Sequence, residues 1–183
     1  MVRTAPRWII LSFALGIFIY PKLLKCEEPN LSKKNPASSR LSFKEKCLKG
    51  KGVACLNVGI LLERDNKIKE SKVYYKKGCD LSDGGSCSNL GYLLQQEKQI
   101  KEAKRFYQKS CSLREGYGCY NLACLYSLEA NFNQAKKFLR LGINFGYKDW
   151  GQIESDRDLA PLRNTKDFKE FYNKLKTFSL KGL

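Results

Sequence analysis

Residues Tyr75–Leu94 read YKKGCDLSDGGSCSNLGYLL, and close copies of this stretch lie 32 residues away on either side. Cys47, Cys79 and Cys111 keep that step, as do Cys55, Cys87 and Cys119, so each copy holds two cysteines with seven residues between them: CLKGKGVAC, CDLSDGGSC and CSLREGYGC. Phe43, Tyr75 and Tyr107 fall in the same register, with Gly52, Gly84 and Gly116, with Asn57, Asn89 and Asn121, and with Val58, Leu90 and Leu122. A period of this length is that of stacked helical hairpins, each burying its apolar face only against its neighbours. The expected fold is therefore all-α.

Within each unit the apolar residues recur at helical spacing. Val58, Leu61 and Leu62 predict a helix over 53–64, and DNK makes the turn after it. Ile68, Ser71, Tyr74 and Tyr75 predict the next, over 68–80, and Ile100, Ala103, Phe106 and Tyr107 its equivalent over 100–112. Residues 41–49 read as one helix, the second half of an incomplete unit. The first cysteine of each pair then ends one helix and the second opens the next, across a short loop with an aligned glycine. That geometry predicts the bridges Cys47–Cys55, Cys79–Cys87 and Cys111–Cys119, each closing nine residues and stabilising the fold by about 2.5 kcal/mol in the loop-entropy model. One step further on stand Ile143 and Gly151, so both partners disappear together. Cys124 aligns with Ile60 and Tyr92 and reads as a small buried thiol.

Eight cysteines in 183 residues fit an oxidising compartment better than a reduced cytosol. No CxxC pair and no histidine occur, which argues against a structural zinc site, and no cofactor is expected. Arg3 and Arg7 precede the apolar run Trp8–Tyr20, and no acid appears before Glu27, the pattern of an export segment over 1–26. Three readings of it stay open: a cleaved signal, lipid attachment at Cys26 (with Lys25 where a small residue is wanted), and an uncleaved anchor. EEPNLSKKNPASSR, residues 27–40, reads as a flexible tether, 41–147 as the repeats and 148–183 as a C-terminal cap with Phe168, Phe171, Tyr172 and Leu175 on one helical face.

The whole chain carries 34 basic and 18 acidic side chains; without the four basic residues of 1–26 the balance is still +12. No RNA-reading or DNA-reading motif accompanies that charge, so nucleic acid is not an expected partner, whereas an anionic membrane surface is a compatible one. The chain is expected to be a monomer.

The frame A-x3-Y-x2-G/S-C-x7-C-x-NLG-x-L, from Ala103 through Leu125, resembles the Sel-one-like repeat, in particular its disulfide-linked branch typified by the Helicobacter cysteine-rich proteins. That branch has a longer unit of about 36 residues. From Tyr120 onward the chain looks more like a bacterial tetratricopeptide-type terminal repeat. The resemblance implies a right-handed α/α solenoid of about three and a half disulfide-stapled hairpins with a capping helix, exported to the periplasm or cell envelope of a bacterium, anchored there or secreted. It also implies a concave groove for a protein or peptide, into which Asn57, Asn89 and Asn121 point, with Tyr92 beside them. An amide offers both a donor and an acceptor to a peptide backbone; the alternative is that these amides satisfy backbone groups of the neighbouring unit.

Two other functions follow from similar proteins. Some members of the resembling family are described as penicillin-binding or weakly β-lactam-hydrolysing. This sequence has no Ser-x-x-Lys and no histidine base, so no catalytic residue is assigned, and Ser86 or Ser88 would be the first serines to suspect. A similar mitochondrial protein of the intermembrane space assists respiratory-complex assembly. The acid-free N-terminus is compatible with that too. Glu63, Glu97 and Glu129 read as solvated surface.

Overall fold

The structure is a computed structural model that describes residues 36–181; the export segment expected over 1–26, and most of the tether, lie outside the described residues. Seven helices follow one another, each of thirteen residues: α1 (Pro36–Leu48), α2 (Gly52–Arg64), α3 (Ile68–Asp80), α4 (Gly84–Gln96), α5 (Ile100–Ser112), α6 (Gly116–Leu128) and α7 (Phe132–Asn144). Each begins sixteen residues after the last, so two helices and two three-residue loops account for the 32-residue period. Then come α8 (Trp150–Ser155), a 3-10 turn over Arg157–Leu159, α9 (Ala160–Arg163) and α10 (Phe168–Lys181). Among the described residues there is no strand, and no helix is long and apolar enough to cross a membrane.

The molecule is thus an all-α solenoid of helical hairpins, stapled by disulfides and ended by a C-terminal helix. α1 starts at Pro36 rather than Leu41, so the last five residues assigned to the tether are helical. Proline suits a first helical turn because its missing N–H has no intrahelical partner there.

The loops explain the regularity. At positions 50, 66, 82, 98, 114, 130 and 146, again sixteen apart, the backbone turns into the left-handed region, with φ between 55° and 96°. The N–H of that residue reaches back three residues and the next N–H five: Gly50 to Cys47 and Lys51 to Lys46, Arg114 to Cys111 and Glu115 to Ser110. This pair of hydrogen bonds closes all seven helix ends, satisfying carbonyls that would otherwise lack donors. Asp83, Asn131 and Asp149 then cap the following helices through their side-chain oxygens.

The three bridges join α1 to α2, α3 to α4 and α5 to α6, with Cα–Cα separations of 4.7, 4.6 and 4.7 Å. Gly52, Gly84 and Gly116 open the inner helices, and a Cβ on each would collide with the next hairpin's loop: 2.9 Å from the Asp83 side chain, 2.8 Å from that of Glu115, 2.7 Å from the Tyr147 backbone nitrogen. These glycines set how closely one hairpin stacks on another.

Inside each hairpin a second complementarity repeats. The Tyr75 ring packs onto Gly59 and the Tyr107 ring onto Gly91; in the last hairpin Ala123 replaces the glycine and Leu139 the tyrosine. Both rings are fully buried, and Ser71, Ala103 and Ala135, also fully buried, give each outer helix its small residue at the contact. A third exchange flanks the bridges, where Gly78 meets Ser86 and Ser110 meets Gly118.

α2, α4 and α6 contact one another in succession, whereas α3, α5 and α7 chiefly contact the helices on either side in sequence. The first set is therefore the inner layer of the solenoid and the second the outer layer. Beyond α7 the 3-10 turn and α9 lie against α6, where a further inner helix would stand, and α10 lies against α7. Phe168, Phe171, Tyr172 and Leu175 face inward, joining Leu139, Ile153, Leu159 and Leu162 in one apolar cluster.

Candidate functional site

The inner layer differs from the rest of the surface in its chemistry. α4 and α6 carry no charged side chain at all, and α2 carries only Glu63 and Arg64 at its C-terminal end. Asn57, Asn89 and Asn121 sit at the same depth of their helices, each half-buried. Among the described residues no hydrogen bond joins these amides to the backbone of a neighbouring hairpin.

Between α2 and α4 the layer opens into a cavity of about 510 Å³ lined by Ile60, Glu63, Arg64, Tyr75, Asn89 and Tyr92. The Tyr75 hydroxyl donates to the Glu63 carboxylate at 2.7 Å and lies beside the Asn89 amide. Burial, reinforced by Glu63, pushes this phenol well above its usual range, so it stays neutral and donating. Tyr92 is 49 % exposed and forms the outer wall. One repeat further, Tyr107 donates to Gln95 at 2.9 Å, in the same arrangement with a neutral acceptor.

The structure thus places Asn89 and Tyr92 around one cavity, with Asn57 one repeat before and Asn121 one repeat after, outside its lining. Glu63 is not simply solvated surface: it is half-buried and anchors Tyr75. Glu97 and Glu129 form ion pairs between hairpins, each 2.7 Å from Lys72 and Lys104 respectively. Sequence reasoning missed Glu63, Arg64 and Tyr75 as parts of the cavity. The available signal was the polar column Glu63, Gln95 and Ser127, which keeps the 32-residue step and stays acceptor-bearing although the residue changes.

That column also shows why the opening lies where it does. At Ser127 the tyrosine partner is gone, replaced by Leu139, and the Ser127 hydroxyl accepts the Leu162 N–H of the cap at 3.2 Å. Tyr120 donates to Asp156 at 2.6 Å beside it. The C-terminal segment therefore covers α6 and leaves α2 and α4 uncovered. Cys124 lies beneath this cover; burial, then the Asp156 carboxylate, push its thiol well above the usual range and keep it protonated. Ser86 and Ser88 are buried too.

A family model described as "Tetratricopeptide repeat" matches residues 85–117 and 116–144, which are α4 with α5 and α6 with α7. The repeats are tetratricopeptide-like. Such repeats are generally scaffolds for contacts between proteins rather than enzymes, and the hairpin of α2 and α3, outside both matches, keeps the same glycine–tyrosine packing, disulfide and loop geometry. No curated protein matches the chain.

Proposed function

We propose that the chain is an exported, disulfide-stapled scaffold of a bacterial cell envelope that holds a protein or peptide segment against its inner helices, as in the cysteine-rich proteins that its repeats resemble. The observation carrying this reading is the inner layer, uncharged along α4 and α6, with its amides in register and open over α2 and α4. A peptide backbone laid along it meets a donor and an acceptor at each repeat, and Glu63 and Arg64 at one end of the opening are the charged side chains in its lining. Three disulfides and the pattern of residues 1–26 support export. The N-terminal segment tethers or releases the scaffold, according to whether it is retained, lipidated or cleaved.

The experiment is capture from envelope extract followed by affinity measurement on the eluted partner. Asn89→Ala/Asn121→Ala should weaken binding by about tenfold or more while the melting temperature moves by no more than a few degrees, since both side chains are half-buried and take no backbone partner. Unchanged affinity together with a large drop in melting temperature would make the asparagines packing residues and remove the groove from the account.

A further inference from the structure

The outer helices have the opposite chemistry, and nothing in the groove reading uses them. α3, α5 and α7 together carry eleven basic and three acidic side chains. Lys72 and Lys104 are neutralised by Glu97 and Glu129 of the next hairpin and Lys136 by Asp167 of the cap, and Lys76 and Lys109 share Asp80. Among the described residues Lys69, Lys77, Lys101, Arg105, Lys137 and Arg140 make no ion pair.

Because successive outer helices splay apart, a cleft opens between each pair. The cleft between α3 and α5, about 510 Å³, is lined by Lys76, Asp80, Glu102, Arg105, Phe106 and Lys109. The cleft of about 360 Å³ between α5 and α7 has Gln108, Ser112, Lys137, Phe138 and Leu141 among its lining residues. Adding 32 to 76, 80, 105, 106 and 109 gives those five positions. The two clefts are the same feature repeated, each with a phenylalanine on its wall and one exposed cation without an acidic partner, Arg105 or Lys137, next to it in sequence. In the second cleft the acids have gone: Asp80 has become Ser112 and Glu102 has become Gln134.

We propose that the outer face is a second binding surface, distinct from the groove, for an acidic peptide segment that seats apolar or aromatic side chains in the two clefts while its carboxylates meet Arg105 and Lys137. Charge complementarity supplies the sign of the partner, and shape supplies its class. Phe106 and Phe138 are half-buried walls rather than projecting anchors, so a flat bilayer cannot reach them, whereas a side chain entering a cleft can. The proposal stands independently of the groove, and the two faces of the scaffold can hold different partners at once.

The test uses the full chain and a short fluorescein-labelled peptide in which Glu alternates with Phe, titrated by anisotropy at physiological salt. Arg105→Glu/Lys137→Glu should weaken binding by about tenfold or more. Lys169→Glu/Lys174→Glu on α10, with the same change in net charge, and Asn89→Ala/Asn121→Ala in the groove should each leave it within about twofold. An equal loss in the α10 pair means that net charge alone attracts the peptide, an equal loss in the asparagine pair puts the peptide in the groove, and either result overturns the proposal. So does binding to vesicles of phosphatidylglycerol and phosphatidylcholine that Arg105→Glu/Lys137→Glu abolishes while the peptide fails to bind, because the occupant is then a membrane.

Discussion

The stapled part of the solenoid and its cysteine-free end solve the same joint in different ways. Between α3 and α4 the chain turns through a disulfide, a buried glycine–serine contact and little else that is large. Between α7 and α8 the positions of the two cysteines hold Ile143 and Gly151, and the joint is held by Tyr147, fully buried, stacked on Tyr120 with ring centroids 4.1 Å apart and donating to Gln152 at 2.8 Å. Beyond it Tyr120 reaches Asp156, and α10 adds Phe168, Phe171 and Tyr172 to the cluster. Where the array continues, a covalent link substitutes for core; where it stops, aromatic burial substitutes for the link. A thin two-layer stack cannot bury much per hairpin, so one device or the other is needed at every joint.

Reduction breaks this comparison most directly. The three bridges contribute about 7 kcal/mol together in the loop-entropy model, all of it N-terminal to Tyr120. Hydrogen exchange in reductant should therefore show α1 to α5 losing most of their protection while α6, α7 and α10 retain theirs, because contacts in a solenoid run only between neighbours. Protection lost evenly, or lost first in the cap, would mean that the joints are not independent.

A smaller effect tests the packing that both regions share. Gly91→Ala places a methyl 2.8 Å from the Tyr107 ring and should cost about 1–3 kcal/mol. Tyr107→Leu makes the pair match Ala123 and Leu139 of the last hairpin, so the double variant should be more stable than the sum of the two losses by about 1 kcal/mol in a denaturant double-mutant cycle. Additivity within about 0.5 kcal/mol would show that the alternation of Gly/Tyr and Ala/Leu is coincidental.

The period, the helices over 68–80 and 100–112 and the partners of all six bridged cysteines were legible because each repeats and a repeat averages out local ambiguity. The start of α1 was not, since PASSR resembles a linker in composition and is helical only because the helix behind it is docked on α2. The glycines at 52, 84 and 116 were visible as a column, but the reason for them lies 31 residues ahead in the next hairpin's loop, a contact that no local pattern encodes. The asparagines were assigned to a groove by resemblance alone. The cavity beside Asn89 depends instead on Glu63 holding Tyr75 and on the cap stopping at Ser127, and both are long-range facts. The paired outer clefts were overlooked for a different reason: their lining joins residues of two outer helices, so that Lys76 and Arg105 look unrelated until the stack brings them together.

The left-handed loop residues were the least visible regularity, because only Gly50, Asn66 and Gly146 among the seven are residue types that favour this conformation; Ser82, Lys98, Arg114 and Ala130 adopt it against their preference. Each such residue costs the fold a fraction of the 1–2 kcal/mol penalty for a left-handed side chain, partly offset by the smaller entropy that a non-glycine residue loses on folding. Ala130, at φ 55° in the loop between α6 and α7 of the last hairpin, is exposed, so its methyl makes no contact that would be missed. Ala130→Gly should therefore stabilise by about 0.5 kcal/mol, raising the melting temperature by about 1–2 °C. Gly146→Ala, at φ 96° on the other side of α7, should lower it by a comparable or larger amount. If Ala130→Gly lowered the melting temperature instead, the alanine would not sit in the left-handed region, and the sixteen-residue rule would fail at the hairpin next to the cap.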